Sequence, residues 1–143
     1  MRISTKHSFL SKLAGVLVGG MLLAAPSLTA AQVYECDRTS MSRGGFVSDK
    51  IFVRFESGGQ ASVIDAFING VHGKPIRVGM SKLDGSRYQI KWKVDDVKLS
   101  NSANPTTLSS TFVIDTANNS FRINGNLRGY DNVISGKGTC KRS

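Results

Sequence analysis

The chain has 143 residues, with 19 lysines and arginines against ten acidic residues, and its formal net charge is +9. This length suits one domain with a single hydrophobic core. Two cysteines and two histidines are a poor basis for a zinc site or another site built on histidine. The excess of positive charge favours an anionic partner.

The first 31 residues have the pattern of a cleaved signal peptide. Three cations and no acid accompany an apolar run from Leu13 to about Ala25, and small residues follow at 29–31. We place cleavage after Ala31, with Ala30 as the alternative. The apolar run is shorter than the roughly 20 residues of a transmembrane helix. We therefore expect residues 32–143 to form an exported domain, periplasmic or secreted, and the cationic start is typical of a bacterial signal peptide.

Removing the signal peptide removes three of the 19 cations and none of the ten acids, which leaves 112 residues with a net charge of +6. Cys36 and Cys140 are the two cysteines of this domain. An oxidising compartment favours a disulfide between them, which would join the first strand to the last. Closing a loop of about 100 residues contributes roughly 4–5 kcal/mol in the chain-entropy model.

Short segments rich in β-branched and aromatic residues, separated by turn residues, predict about eight strands. The predicted strands are 33–36, 51–56, 61–68, 76–80, 86–95, 106–115, 121–128 and about 130–140. Segment 61–68 is the one candidate helix, but its β-branched residues favour a strand. Asn69-Gly70 predicts a turn, residues 71–75 a loop, and Asp95-Asp96 the end of a strand, with a short extension over 97–99 as the alternative.

The strand at 86–95 shows the clearest alternation. Its apolar residues are Tyr88, Ile90, Trp92 and Val94, and its polar ones are Arg87, Gln89, Lys91 and Lys93. A period of two places the first set over a core and the second set towards solvent. Asp84-Gly85 before this strand is typical of a tight hairpin turn.

These patterns predict an all-β fold in a single domain, as a small antiparallel β-barrel or, alternatively, a β-sandwich. Pairing of the first strand with the last would close the sheet and remove its exposed edges, so we favour the barrel. Large residues such as Trp92 and Phe112 should fill the interior. We therefore expect no cofactor.

Few residues are candidates for catalysis. His72 is the single histidine after residue 31 and has no hydrolase motif around it. Asp95 and Asp96 are adjacent, so on a regular strand they would point to opposite faces and could not act together. Asp65 and Asp115 lie in apolar runs, where burial could raise a pKa, although accepting hydrogen bonds from a turn, or pairing with an arginine such as Arg54 or Arg122, is the simpler role. We expect no enzyme and no metal, with a small hydrolase as the remaining alternative.

The cations on the polar strand faces are the most informative feature. The candidate anion-binding residues are Arg77, Arg87, Lys91, Lys93, Arg122 and Arg128. If their strands are neighbours, they form one surface that attracts polyanions such as acidic polysaccharide, lipopolysaccharide or lipid headgroups. Nucleic acid is not expected, because no aromatic residues lie among the outward cations on the same face of the strands to stack with bases. The alternative is a face that only confers solubility.

Three segments resemble bacterial periplasmic inhibitors of C-type lysozyme: Val33 to Asp37, Gly85 to Tyr88 with Trp92 beyond it, and Gly138 to Lys141. The resemblance implies a small β-barrel, a protein partner, and Ser86 and Lys91 as contact residues. The chain departs from the family motif at Asp84, where the motif has serine, and after Leu99, where it is longer. Its positive charge would also oppose binding to a cationic enzyme.

The sequence thus predicts an exported, non-enzymatic binding or structural protein of the bacterial cell envelope, with a basic sheet face for an anionic partner. The alternative is a periplasmic inhibitor of lysozyme.

Overall fold

The computed structural model describes residues 31–131 and 134–143; the predicted signal peptide, apart from Ala31, lies outside them. They form eight strands and one short helix. The elements are β1 (Val33–Met41), β2 (Lys50–Glu56), β3 (Gln60–Ile64), α1 (Ala66–His72), β4 (Ile76–Lys82), β5 (Arg87–Val97), β6 (Thr106–Asp115), β7 (Ser120–Leu127) and β8 (Ile134–Arg142).

The eight strands form a closed antiparallel barrel in which each strand pairs with its neighbours in the sequence and β8 pairs with β1. The predicted all-β fold is confirmed, as a barrel and not a sandwich. Cys36 and Cys140 lie directly opposite each other on β1 and β8 and form a disulfide. The bond therefore joins the two strands whose pairing closes the barrel.

The alternation on β5 sets the inside and the outside of the barrel. Ile90, Trp92 and Val94 are buried, while Lys91 and Lys93 between them are exposed. Phe112 of β6 is fully buried and stacks on Phe121 at a centroid distance of 5.1 Å. The interior is thus filled by side chains, as expected for a barrel of this size.

The two ends of the barrel differ. One end carries the tight turns at 57–59, 83–86 and 116–119 and the start of β1, with aromatic contacts between Tyr34, Phe55 and Tyr88. The other end carries α1 and the longer connections, and Ile68 of α1 is fully buried there. No helix in residues 31–131 and 134–143 is long and apolar enough to cross a membrane.

The prediction of a strand over 61–68, followed by a turn and a loop, was wrong in its second half. The strand stops at Ile64 and α1 begins at Ala66, so Asn69-Gly70 lies inside the helix and His72 ends it. Asp65 caps the helix by accepting a hydrogen bond from the Ile68 amide at 2.8 Å. Gly73 ends it in the left-handed region, with φ of +66°, which glycine adopts without strain.

The prediction that Asp95-Asp96 ends the central strand was also wrong. The register of β5 against β6 shifts between Val94 and Val97, and Asp96 has φ of +61°. These features mark a β-bulge, which lets the strand continue to Val97. Both aspartates are exposed at the bulge and do not point to opposite faces of a regular strand.

Candidate anion-binding surface

The outward face of β5 to β8 carries cations that have no acidic partner. We call Lys91 and Lys93 of β5, Arg122 of β7 and Lys137 of β8 the basic wall. All four side chains are exposed. Among residues 31–131 and 134–143, none of the four forms a salt bridge.

The strand register determines how these cations are spaced. Arg122 and Lys137 lie directly opposite each other on β7 and β8. Lys91 and Lys93 are separated from β7 by β6, whose facing residues are Thr111 and Ser109. Arg122 lies in the row of Val113 and Gln89, two residues along the strand from Lys91. Two strand spacings and two residues correspond to about 12 Å, somewhat more than the Debye length of about 8 Å at physiological salt. The fields of Lys91 and Arg122 therefore overlap mainly at low salt, whereas Arg122 and Lys137 lie directly side by side.

The carboxylates of β5 and β6 lie at the ends of these strands. Asp95, at the bulge, accepts a hydrogen bond from the Thr107 hydroxyl at 2.7 Å. Asp115, the last residue of β6, accepts one from the Ala117 amide at 3.0 Å. Each carboxylate is engaged by its own bulge or turn, and neither forms a salt bridge with the wall.

On the opposite side of the barrel, β1 to β4, three strand cations are paired with carboxylates, while Arg54 and Lys82 form no salt bridge within the described residues. Lys50 contacts both Glu35 and Asp37, and Arg38 contacts Asp49. Arg77 on β4 contacts Glu56 at 3.0 Å. The two halves of the barrel therefore differ in degree: most strand cations of β1 to β4 have a carboxylate partner, and most of those on β5 to β8 have none among the described residues.

The six candidate residues from the sequence fall into two groups. Lys91, Lys93 and Arg122 belong to the basic wall. Arg77 is paired with Glu56, Arg87 is paired with Asp84 at 2.6 Å, and Arg128 follows the last residue of β7. Lys137 was not among the predicted residues. Its outward position is indicated by the alternation of Gly136, Gly138 and Cys140 with Lys137, Thr139 and Lys141 along β8.

The residues considered for catalysis have structural roles or stand apart. Asp65 is 6% exposed, and burial raises the pKa of its carboxyl group against the opposing effect of the Ile68 amide and the Ser48 hydroxyl. His72 is exposed at the end of α1. Over the described ranges, no three His, Cys, Asp or Glu side chains cluster as a metal site would require.

The turn between β4 and β5 is held by Asp84. Its carboxylate accepts hydrogen bonds from the Ser86 and Arg87 amides, and the bond from the Arg87 side chain is the main reason that its pKa lies below the ordinary value. The Ser86 carbonyl accepts bonds from the Thr116 amide and hydroxyl at 2.9 and 3.0 Å. Ser86 is thus fixed against the β6–β7 turn, whereas Lys91 lies further along β5 on the basic wall.

No family model, curated protein or solved structure matches the chain. The resemblance to lysozyme inhibitors therefore stays a prediction. Over the described residues, the molecule provides a closed, disulfide-linked barrel with four outward cations on β5, β7 and β8 that form no salt bridge.

Proposed function

We propose that this protein is an exported, non-enzymatic binding protein of the bacterial envelope, and that its basic wall contacts an anionic polymer or lipid surface. The observation that carries the proposal is the absence of salt bridges at Lys91, Lys93, Arg122 and Lys137 among the described residues. A cation paired with a carboxylate attracts an external anion weakly, because the two fields largely cancel. Unpaired cations on the same strand, such as Lys91 and Lys93, or on neighbouring strands, such as Arg122 and Lys137, add their fields.

The surface between the cations suits a polar ligand. Ser109 and Thr111 of β6 and Asn124 and Asn126 of β7 supply hydroxyl and amide groups between the charges. These groups both donate and accept hydrogen bonds, as the hydroxyls of a sugar or a headgroup require. Because the side chains stand on paired strands of a closed barrel, little backbone ordering opposes binding.

An envelope location is supported by two features. The first 31 residues have the composition of a signal peptide. The disulfide between Cys36 and Cys140 is stable in an oxidising compartment such as the bacterial periplasm. The anions available there are phosphorylated glycolipids, anionic lipids and acidic polysaccharides.

The proposal predicts that Lys91→Gln with Lys93→Gln weakens binding to lipopolysaccharide about 30-fold at low salt, because each cation near an anionic surface contributes about 1 kcal/mol. Co-sedimentation of residues 32–143 over a salt series measures this. The matched control is Arg54→Gln with Lys74→Gln, which removes the same charge from exposed positions outside the wall. Equal weakening in both double variants would mean that net charge alone governs binding. Absence of binding by the unaltered protein at low salt would contradict the proposal.

A second candidate function, inhibition of a C-type lysozyme, rests on the resemblance of three segments, 33–37, 85–88 and 138–141, and is compatible with the fold. The closed barrel is the architecture that the resemblance implies. This candidate predicts stoichiometric loss of lysozyme activity on titration with the protein, and a weaker effect with Ser86→Ala than with the unaltered chain. Full lysozyme activity at a tenfold excess of protein would eliminate it, and the control variant Ser57→Ala changes an exposed serine in a different turn.

A further inference from the structure

A depression of about 390 Å³ lies at the β8 edge of the basic wall, where β7, β8 and β1 meet. Its lining residues are Ser40, Met41, Ser42, Arg122, Asn124, Ser135, Gly136 and Lys137. The pairing of β1 with β8 shifts by one residue between Arg38 and Ser40. Such a bulge bends the strand locally and redirects its side chains, and the depression adjoins it.

The two cations of the depression form an unfavourable pair. Arg122 and Lys137 are directly opposite on adjacent strands, and like charges in that position destabilise a sheet. No carboxylate is present among the lining residues to offset the repulsion. A bound anion would remove it, because one anion can accept hydrogen bonds from both side chains.

The other lining residues suit an anion with several oxygens. Asn124 offers an amide beside Arg122, and Ser40, directly opposite Lys137 on β1, offers a hydroxyl. The rim is held by the backbone, since the Ser42 amide donates to the Ser135 carbonyl at 2.8 Å and the Ser135 amide donates to the Ser42 hydroxyl at 3.1 Å. The depression thus combines a planar guanidinium, a compact ammonium and neutral donors on a fixed frame.

We propose that this depression is a binding site for a phosphate monoester group, held by Arg122 and Lys137. The proposal rests on the proposed function, because it identifies the chemical group that one part of the basic wall recognises. A terminal phosphate carries up to two charges and three acceptor oxygens. It can therefore take a forked pair of bonds from Arg122 and further bonds from Lys137 and Asn124. A phosphodiester has one charge and two free oxygens, so it satisfies fewer of these donors.

The phosphate could belong to a free phosphorylated sugar or to a lipid headgroup, and the volume of the depression admits the phosphate with part of its carrier. The test uses two kinds of probe at constant ionic strength. Inorganic phosphate and glucose 1-phosphate are titrated by calorimetry and by amide chemical shifts of the protein. Vesicles that contain phosphatidic acid are compared with vesicles of equal surface charge that contain phosphatidylglycerol.

We expect saturable binding of the monoesters by the unaltered protein and at least tenfold weaker binding by Arg122→Gln with Lys137→Gln. The double variant of Lys91 and Lys93 removes the same charge from the same wall and should change phosphate affinity less than threefold. Phosphate should also raise the melting temperature of the unaltered protein and leave that of the Arg122 and Lys137 double variant unchanged, since a ligand of the native state stabilises it.

Preference for phosphatidic acid over phosphatidylglycerol, or binding of the free monoesters alone, would each support the site and identify the source of its ligand. Equal phosphate affinities of the two double variants, or no saturation by any monoester, would overturn it. If the site fails this test but the unaltered protein binds lipopolysaccharide in a salt-sensitive way, the proposed function still stands. If the unaltered protein binds phosphate monoesters but not lipopolysaccharide, the proposed function is refuted and the site remains.

Discussion

Replacing both cysteines, Cys36→Ala with Cys140→Ala, is expected to lower the free energy of unfolding by about 4–5 kcal/mol. The two residues are separated by 104 positions in the chain, and the entropy that a cross-link removes from the unfolded state grows with the length of the loop. The bond also lies between β1 and β8, the pairing with the greatest separation along the chain. A loss of this size is a large part of the stability of a typical domain.

Urea unfolding followed by the fluorescence of the buried Trp92 measures this loss. The unaltered protein with reductant should unfold at the same urea concentration as the double variant, and reductant should not affect the variant. Oxidised and reduced forms of the unaltered protein that differ by less than about 1 kcal/mol would contradict the chain-entropy account. The barrel would then be closed by its hydrogen bonds and core alone.

The barrel itself could be predicted because its main determinants are local. On β5 the alternation of Ile90, Trp92 and Val94 with Lys91 and Lys93 sets which face is buried, and turn residues separate the strands. The closing pair was predictable from Cys36 and Cys140, since a disulfide between the first and last strands brings them together. Periodicity and one covalent constraint were enough for the architecture.

Helix α1 could not be predicted in the same way. It has seven residues, which is too short to be stable by intrinsic propensity, so its stability depends on tertiary packing. Ile68 supplies that packing and is fully buried. The local signals were Asp65 as the N-cap and Gly73 as the C-cap, but Asn69-Gly70 between them is also a strong turn signal.

The candidate site was predictable only in part, because a list of cations does not reveal which are paired. Arg77 contacts Glu56, on a strand that is not its neighbour in the sheet. Arg122 and Lys137 face each other only because of the register of β7 against β8. A shift of one residue would turn either side chain to the inside. Register is set by the whole barrel and cannot be read from either strand alone.

Gly138→Ala is the single substitution that we expect to destabilise the barrel most, by about 3 kcal/mol or more, which is the upper part of the range for overpacking. A Cβ atom at this position would lie 2.7 Å from the Phe121 ring and 2.9 Å from the Arg38 Cα, and closest of all to the Asp37 carbonyl oxygen. Two of these obstacles are backbone atoms of β1, so a rotamer change cannot relieve the contact. The strands β1 and β8 would have to separate beside the disulfide.

The matched control is Gly79→Ala on the outward side of β4, where a Cβ atom would meet nothing within 4 Å. This variant should be as stable as the unaltered protein or more stable by up to about 1 kcal/mol, because alanine restricts the unfolded chain. Equal urea midpoints for the two glycine variants would show that β1 and β8 are packed less closely than described. A large loss at Gly138 alone would instead show that close packing, in addition to the disulfide, closes the barrel.

The Arg122 and Lys137 depression adjoins this same seam, so Gly138→Ala should weaken phosphate binding as well, even under conditions where the variant stays folded.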